Sequence, residues 1–295
     1  MPKVEKICIL HVVYSVVNVS SVWLTPLIRY VLGLFVLNVR LMDQKIKISA
    51  VDFLNTLPFR YGLDNSEFIA SHTCIDYDIP SVCAAKLKNG DADIGLVPIA
   101  VLPELKNYEI ISDFCLGAKK QIDSVFLFGQ QPVDKMSEIL LDYRSRTSVN
   151  LVRILANEHW HITPTWIDAS RGYERRIQHY TGGVIIGDKA LELANRFTYK
   201  YDLAENWHAL TGEEFVFAAW VTNKKLPEFF KKEFNVSLQH GINHIDDALK
   251  TLGQKYNHLP AEMYLKHRLD YHWNDSKRQA MHLFFKKTKN ISSTH

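Results

Sequence analysis

Leu141-Asp142-Tyr143-Arg144-Ser145-Arg146-Thr147-Ser148-Val149 decides the reading of the fold. The apolar run Ile139-Leu140-Leu141 leads into it. Val149, Val152, Leu155 and Ala156 leave it at helical spacing. Ser145 to Ser148 therefore sit where a strand turns into a helix. Unpaired backbone N–H groups and the positive end of the helix dipole favour a carboxylate or phosphate there. Arg146 adds a two-pronged donor for such an anion. A plainer reading stands beside this one: Ser and Thr commonly cap helices, and Arg146 is then a solvated side chain.

The same alternation continues along the chain. Lys45 to Val51 reads as a strand, and Asn55-Thr56-Leu57-Pro58 as the turn into a helix, where Pro58 suits the first turn. Ser81 to Asn89 reads as a helix with Ser81 as cap and Gly90 as stop. Further strands are expected at Ala92 to Val97, ending at Pro98, at Ser124 to Phe128, at Gly182 to Asp188 and at Phe215 to Val221. Beyond residue 226 the pattern is mostly helical and amphipathic. Strands alternating with helices imply an α/β protein with largely parallel sheets and helices on both faces. Ligands of such sheets sit beyond the carboxyl ends of the strands. Asn55, Pro98, Ser145–Ser148 and Asp188 all fall at such ends.

A chain of 295 residues has room for two lobes around large cores. With 23% charged residues and a net charge of +3, it shows no basic stripe with interleaved aromatics, and nucleic acid is not an expected partner. The four cysteines, Cys8, Cys74, Cys83 and Cys115, form no CxxC pair and read as reduced structural thiols. His159-Trp160-His161 has a metal-like spacing without a third ligand nearby, so no metal site is expected. Arg171, Arg175 and Arg176 read as a solvated helix face, and Phe229-Phe230 and Phe284-Phe285 as core contacts of C-terminal helices.

Residues 1–44 do not match the rest. Ile7 to Ile28 contains no Lys, Arg, Asp or Glu, which is long enough for a membrane-spanning helix. Asn18, Ser20, Ser21 and Pro26 dilute the run, and no small-residue cleavage site follows. An extension outside the functional fold, ending near Met42, is the preferred reading. A membrane contact is expected only if residues 7–39 form a real anchor.

Six segments in order resemble one family. They are Val51-Asp52-Phe53-Leu54-Asn55-Thr56-Leu57-Pro58, Gly90-Asp91-Ala92-Asp93-Ile94-Gly95-Leu96-Val97-Pro98, Asp123-Ser124-Val125, Ser145-Arg146-Thr147-Ser148-Val149, Ile186-Gly187-Asp188-Lys189-Ala190 and Thr211-Gly212-Glu213-Glu214-Phe215-Val216-Phe217-Ala218. Together they are similar to chorismate dehydratase, the first enzyme of the futalosine route to menaquinone, over about residues 45 to 285. Glu214 stands where the family often has Pro, and it is expected to alter a surface turn only.

The resemblance implies a two-lobed fold like type II periplasmic binding proteins, with the ligand in the cleft. Lobe 1 would combine residues 45–117 and 216–290, and lobe 2 residues 118–215. The implied reaction is loss of water from chorismate to give 3-[(1-carboxyvinyl)oxy]benzoate, in the cytoplasm, with no cofactor or metal. Arg146, Thr147, Ser148 and the helix start beneath them would bind the dianion. Asn55 and Thr56 would approach from the other lobe, with Pro98 and Gly187 at strand ends. Ser124 resembles the family's active-site serine. On the residues alone, Asn55 and Ser124 read as turn and structural groups; the resemblance makes them ligand contacts.

Two bases for the proton at ring carbon 3 stay open. Asp188 is one, with a helix cap or an inter-lobe acceptor as its plainer role. The enolpyruvyl carboxylate of the substrate, held by Asn55 and Ser124, is the other and is preferred. Rival functions are the 1,4-dihydroxy-6-naphthoate synthase of the same pathway and a non-catalytic organic-anion-binding protein. A homo-oligomer is compatible with the sequence.

Overall fold

Residues 45–292 are described in the computed structural model. The expectations for residues 1–44 and Cys8 lie outside the described residues. Each strand read from the sequence forms, with ends shifted by no more than about two residues, as boundary reading allows. The strands are β1 (Ile46–Val51), β2 (Thr73–Asp78), β3 (Ile94–Pro98), β4 (Glu109–Ala118), β5 (Val125–Gly129), β6 (Glu138–Leu141), β7 (Thr165–Asp168), β8 (Thr181–Ile186), β9 (Tyr199–Asp202), β10 (Phe215–Thr222) and β11 (Asp270–His272). The α-helices are α1 (Leu57–Asp64), α2 (Glu67–His72), α3 (Pro80–Asn89), α4 (Arg146–Glu158), α5 (Asp188–Leu193), α6 (Leu203–Thr211), α7 (Glu228–Asn243), α8 (Ile245–Leu252), α9 (Ala261–His267) and α10 (Asp275–Ser292).

The strands make two sheets, ordered β11-β4-β10-β3-β1-β2 and β7-β6-β8-β5-β9. The chain is thus an α/β protein built on two sheets. The expectation of largely parallel sheets needs correction. β1 pairs in parallel with β2 and β3, and β6 with β7 and β8. But β10 runs antiparallel between β3 and β4, and β5 runs antiparallel between β8 and β9. β11 is reversed as well, on the edge against β4; β5 and β10 are each the first strand after the chain passes from one sheet to the other. Neither is preceded by a crossover helix within its own sheet, which is the connection that parallel pairing needs.

Period-2 alternation places the cores. Leu127 faces one side of β5, within a large apolar cluster that also holds Ile48, Leu96 and Trp220 of the first sheet. Phe126 and Phe128 face the other side, within a smaller cluster with Leu140 and Ile185. The large cluster thus runs through both sheets. Trp207 of α6, Phe215 of β10 and Phe284 of α10 meet edge to face, with centroids 5.2–6.3 Å apart. Each such pair adds about 0.5–1.5 kcal/mol beyond its buried area. Phe230 and Phe284 are buried as expected, whereas Phe229 is exposed. Arg171, Arg175 and Arg176 are exposed on a single 3-10 turn region.

The two ends of α3 show how far local chemistry sets a helix. Gly90 closes α3 at φ +80°, a left-handed position that suits glycine. Ser81, expected as the cap of α3, lies inside it, because Pro80 at the start already has its φ set for the helix and Ile79 takes the cap position. Glu214 also differs from expectation. Its carboxylate lies 3.1 Å from the ammonium of Lys277, which is 0% exposed, and Asp270 takes the other side at 2.7 Å. A residue expected to change only a surface turn instead pairs with a buried cation of α10. A buried ammonium needs such partners, since desolvation alone costs several kcal/mol.

Candidate active site

The carboxyl ends of β1, β3, β6 and β8 deliver Asn55, Pro98, Ser145 and Gly187 to one cavity. About 510 Å³ of space lies between its walls, open solvent at the mouth included. Ser124 joins them for a topological reason. β5 is antiparallel to β8, with Val125 opposite Ile186, so the start of β5 is level with the carboxyl end of β8. The N–H of Gly187 donates to the Ser124 carbonyl at 2.8 Å, fixing that level.

Ser145 caps α4, and its hydroxyl accepts from the Ser148 N–H at 3.4 Å. Ser145 and Ser148 both line the cavity, so the first turn of α4 faces it. The segment before α4 is braced from below. Asp142 is buried and receives both Nε and Nη2 of Arg144, at 2.8 and 2.5 Å. It also accepts from the Tyr173 hydroxyl at 2.9 Å and the Ile186 N–H at 3.2 Å. One carboxylate therefore ties the ends of β6 and β8 together. Removing one partner of a buried pair of this kind costs about 3–5 kcal/mol.

The crossing that carries Ser124 is held just as closely. Asp202 accepts from the N–H groups of Ile122 and Asp123 at 3.0 and 2.7 Å, and its other oxygen caps α6 through Ala204 and Glu205. Asp123 sits at φ +59° and pairs with Arg268 at 2.5 Å.

The remaining walls are apolar, with Phe53, Ile122, Phe217 and Leu269 among them. Among the described residues that line the cavity, none carries a charge.

Four residues read as site groups stand elsewhere. Arg146 is 59% exposed, and its guanidinium lies 2.6 Å from the Glu104 carboxylate. It borders a different hollow, with Tyr143, Asn150 and Asp168. Arg146 and Lys88 hold the Glu104 carboxyl below its usual range. Arg146 thus pairs with a protein carboxylate outside the cavity. Thr147 is fully buried; its hydroxyl accepts from the Ala100 N–H at 3.1 Å and donates to the Phe217 carbonyl at 3.2 Å. It clamps α4 to the other sheet. The Thr56 hydroxyl is turned onto the carbonyls of Val51 and Phe53, at 2.6 and 2.8 Å.

Asp188, the fourth, is absent from the cavity wall and accepts from the Leu54 N–H at 2.8 Å through Oδ1. Burial pushes its carboxyl up to about 6. It joins the end of β8 to the turn after β1, which was its plainer reading.

Asn55, Pro98, Ser124, Ser148 and Gly187 are brought together. The Asn55 side-chain oxygen is buried without a protein partner. Sequence reasoning missed Tyr264. The hydroxyl of Tyr264 on α9 donates to Ser124 Oγ at 2.7 Å. Nothing in the sequence around Tyr264 marks it, since its partner lies in another element far up the chain. Among the described residues no cluster of three His, Cys, Asp or Glu side chains is placed to hold a metal ion. Among the same residues no helix is long and apolar enough to cross a membrane.

Solved structures share the fold at low identity. Protein AF1704 from Archaeoglobus fulgidus is 12% identical with a TM-score of 0.67, covering 84% of this chain and 98% of that one. The periplasmic aliphatic sulphonate binding protein SsuA from Escherichia coli is 12% identical with a TM-score of 0.54, covering 85% and 87%. The CA3427 gene product of Candida albicans, described as having the generic periplasmic binding protein fold, is 12% identical with a TM-score of 0.53, covering 85% and 91%. A family model described as menaquinone biosynthesis matches residues 46–290. The chain belongs to the menaquinone biosynthesis family.

Proposed function

We propose that this protein removes water from chorismate to give 3-[(1-carboxyvinyl)oxy]benzoate. The observation that carries the reading is the meeting of Asn55 and Ser124, from opposite sheets, in a cavity whose lining holds no charged side chain. The ring-carbon-3 proton leaves first. Its electron pair spreads through the adjacent double bond into the ring carboxylate. Hydroxide then departs from carbon 4, takes up a proton as water, and the ring becomes aromatic. Aromatisation supplies the drive, so the protein has to orient groups and stabilise charge.

The neutral lining favours the substrate's own enolpyruvyl carboxylate as the base. A guanidinium on that carboxylate would lower its basicity, whereas apolar walls raise it. Asp188 is committed to the Leu54 N–H, which leaves it a positioning role between the sheets. Ser124, Asn55 and the first turn of α4 act as uncharged donors to the two carboxylates. Residues 45–117 with 216–290, and 118–215, would then be the two jaws of the grip.

The test is incubation of the protein with chorismate and mass spectrometry of the products. The expected product is an aromatic enol ether lighter than chorismate by one water. Binding of chorismate without that product would replace this reading with the organic-anion-binding one, and turnover only of a later pathway intermediate would favour the naphthoate synthase.

A further inference from the structure

The geometry points to Tyr264 as the positioning residue that sets Ser124 for turnover. The inference rests on the reaction proposed above and adds a residue that does not itself line the cavity. Tyr264 is 1% exposed, and its hydroxyl donates to Ser124 Oγ at 2.7 Å. This phenol of α9, a helix packed on the turn that carries Asn55, thus meets the serine that comes from the other sheet.

Counting donors shows what this achieves. A serine hydroxyl carries one proton and two acceptor sites, and a tyrosine hydroxyl likewise. The proton of Tyr264 is spent on Ser124, so the Ser124 proton is released to point into the cavity. The Asn55 side-chain oxygen has no protein partner. Ser124 is thereby presented as a donor, beside the open acceptor of Asn55. Without the phenol, the serine proton could turn to other acceptors.

The support is stiff. Arg268, one turn past Tyr264, pairs with Asp123, the residue before Ser124. The Tyr271 hydroxyl donates to the Asn55 carbonyl at 3.2 Å. Burial also raises the Tyr264 phenol well above its ordinary range, so it stays protonated as a donor.

A double-mutant cycle with Tyr264→Phe and Ser124→Ala tests the idea. Tyr264→Phe should lower kcat about 10–100-fold, with KM changed less than about threefold, the pattern of lost orientation. In the Ser124→Ala background the same substitution should cost at least about fivefold less, because its target is gone. A loss that multiplies fully onto that of Ser124→Ala, or a Tyr264→Phe enzyme with unchanged kcat, would overturn the proposal. If Tyr264→Phe does not fold, Tyr264→His goes through the same cycle under the same criterion. If the wild-type protein makes no aromatic product, the reaction is what fails. The four proteins are then compared by chorismate affinity in calorimetry, where additive losses would overturn the role of Tyr264.

Discussion

Asp188 separates two kinds of residue at the ends of the strands. A general base contributes about 10²–10⁴-fold to turnover. A carboxylate that only joins the end of β8 to the Leu54 N–H contributes position. Asp188→Asn, whose amide oxygen can still accept from Leu54, should therefore lower kcat by less than about tenfold in steady-state assays. A loss near 10³-fold at unchanged affinity would return Asp188 to the role of base. Stability gives a second reading. The folded-state pKa of Asp188 is raised from 3.8 to about 6 by burial. The folded protein then holds that proton more tightly than the unfolded chain does. This contribution is fully present below pH 3.8 and is lost as pH rises through about 6. Thermal melts at pH 4.5 and 8 should show Asp188→Asn gaining on the wild type at the higher pH. That Asn55 and Ser124 share a cavity was legible only through motif order, since on the residues alone they read as turn and structural groups. The direction of Arg146 was not, because it depends on Glu104, a partner that no local pattern identifies.

Between residue and molecule lie the turns that set the walls. Gly187 has φ +66° and ψ −149°, a combination almost confined to glycine. A Cβ there would also stand 3.1 Å from the Phe53 ring, so the two sheets approach closely at this point. Gly187→Ala should destabilise the protein by about 1–3 kcal/mol in chemical denaturation. It should also weaken ligand binding, since Gly187 and Phe53 both line the cavity. The crossing into β5 carries a parallel expectation. Asp202→Ala leaves four backbone N–H groups without their acceptor. The cost should be about 3 kcal/mol, read by the same method. The element pattern was legible where a strand, a turn and a helix follow one another, as from Ile139 to Glu158. It was not legible for β2, β4, β7, β9 and β11, nor for the reversal of β5 and β10. Pairing direction is set by where the chain re-enters a sheet, a long-range property that period-2 patterning does not encode.

At the scale of the molecule, the grip on a ligand and the cohesion of the fold have one source. The main apolar cluster runs through both sheets, and α10 packs on β10 of one sheet and on α4, which follows β6 of the other. Lys287 of α10 pairs with Glu158 at the end of α4, and Lys277 pairs with Glu214 and Asp270 at the far end of the same helix. Two lobes joined only by crossing strands would unfold in two steps. A shared core and a bracing helix make the sheets depend on each other, and from Ile46 onward the chain forms one compact unit. Calorimetry of the described region should therefore give a single transition, with calorimetric and van't Hoff enthalpies equal. A ligand held by both sheets must raise that one midpoint. At a concentration 100 times its dissociation constant it stabilises the folded state by about 2.7 kcal/mol, which corresponds to a rise of roughly 5–10 °C for a chain of this size. Two resolved transitions, with only one shifted by chorismate, would mean that a single sheet holds the ligand and that Asn55 and Ser124 do not act on it together.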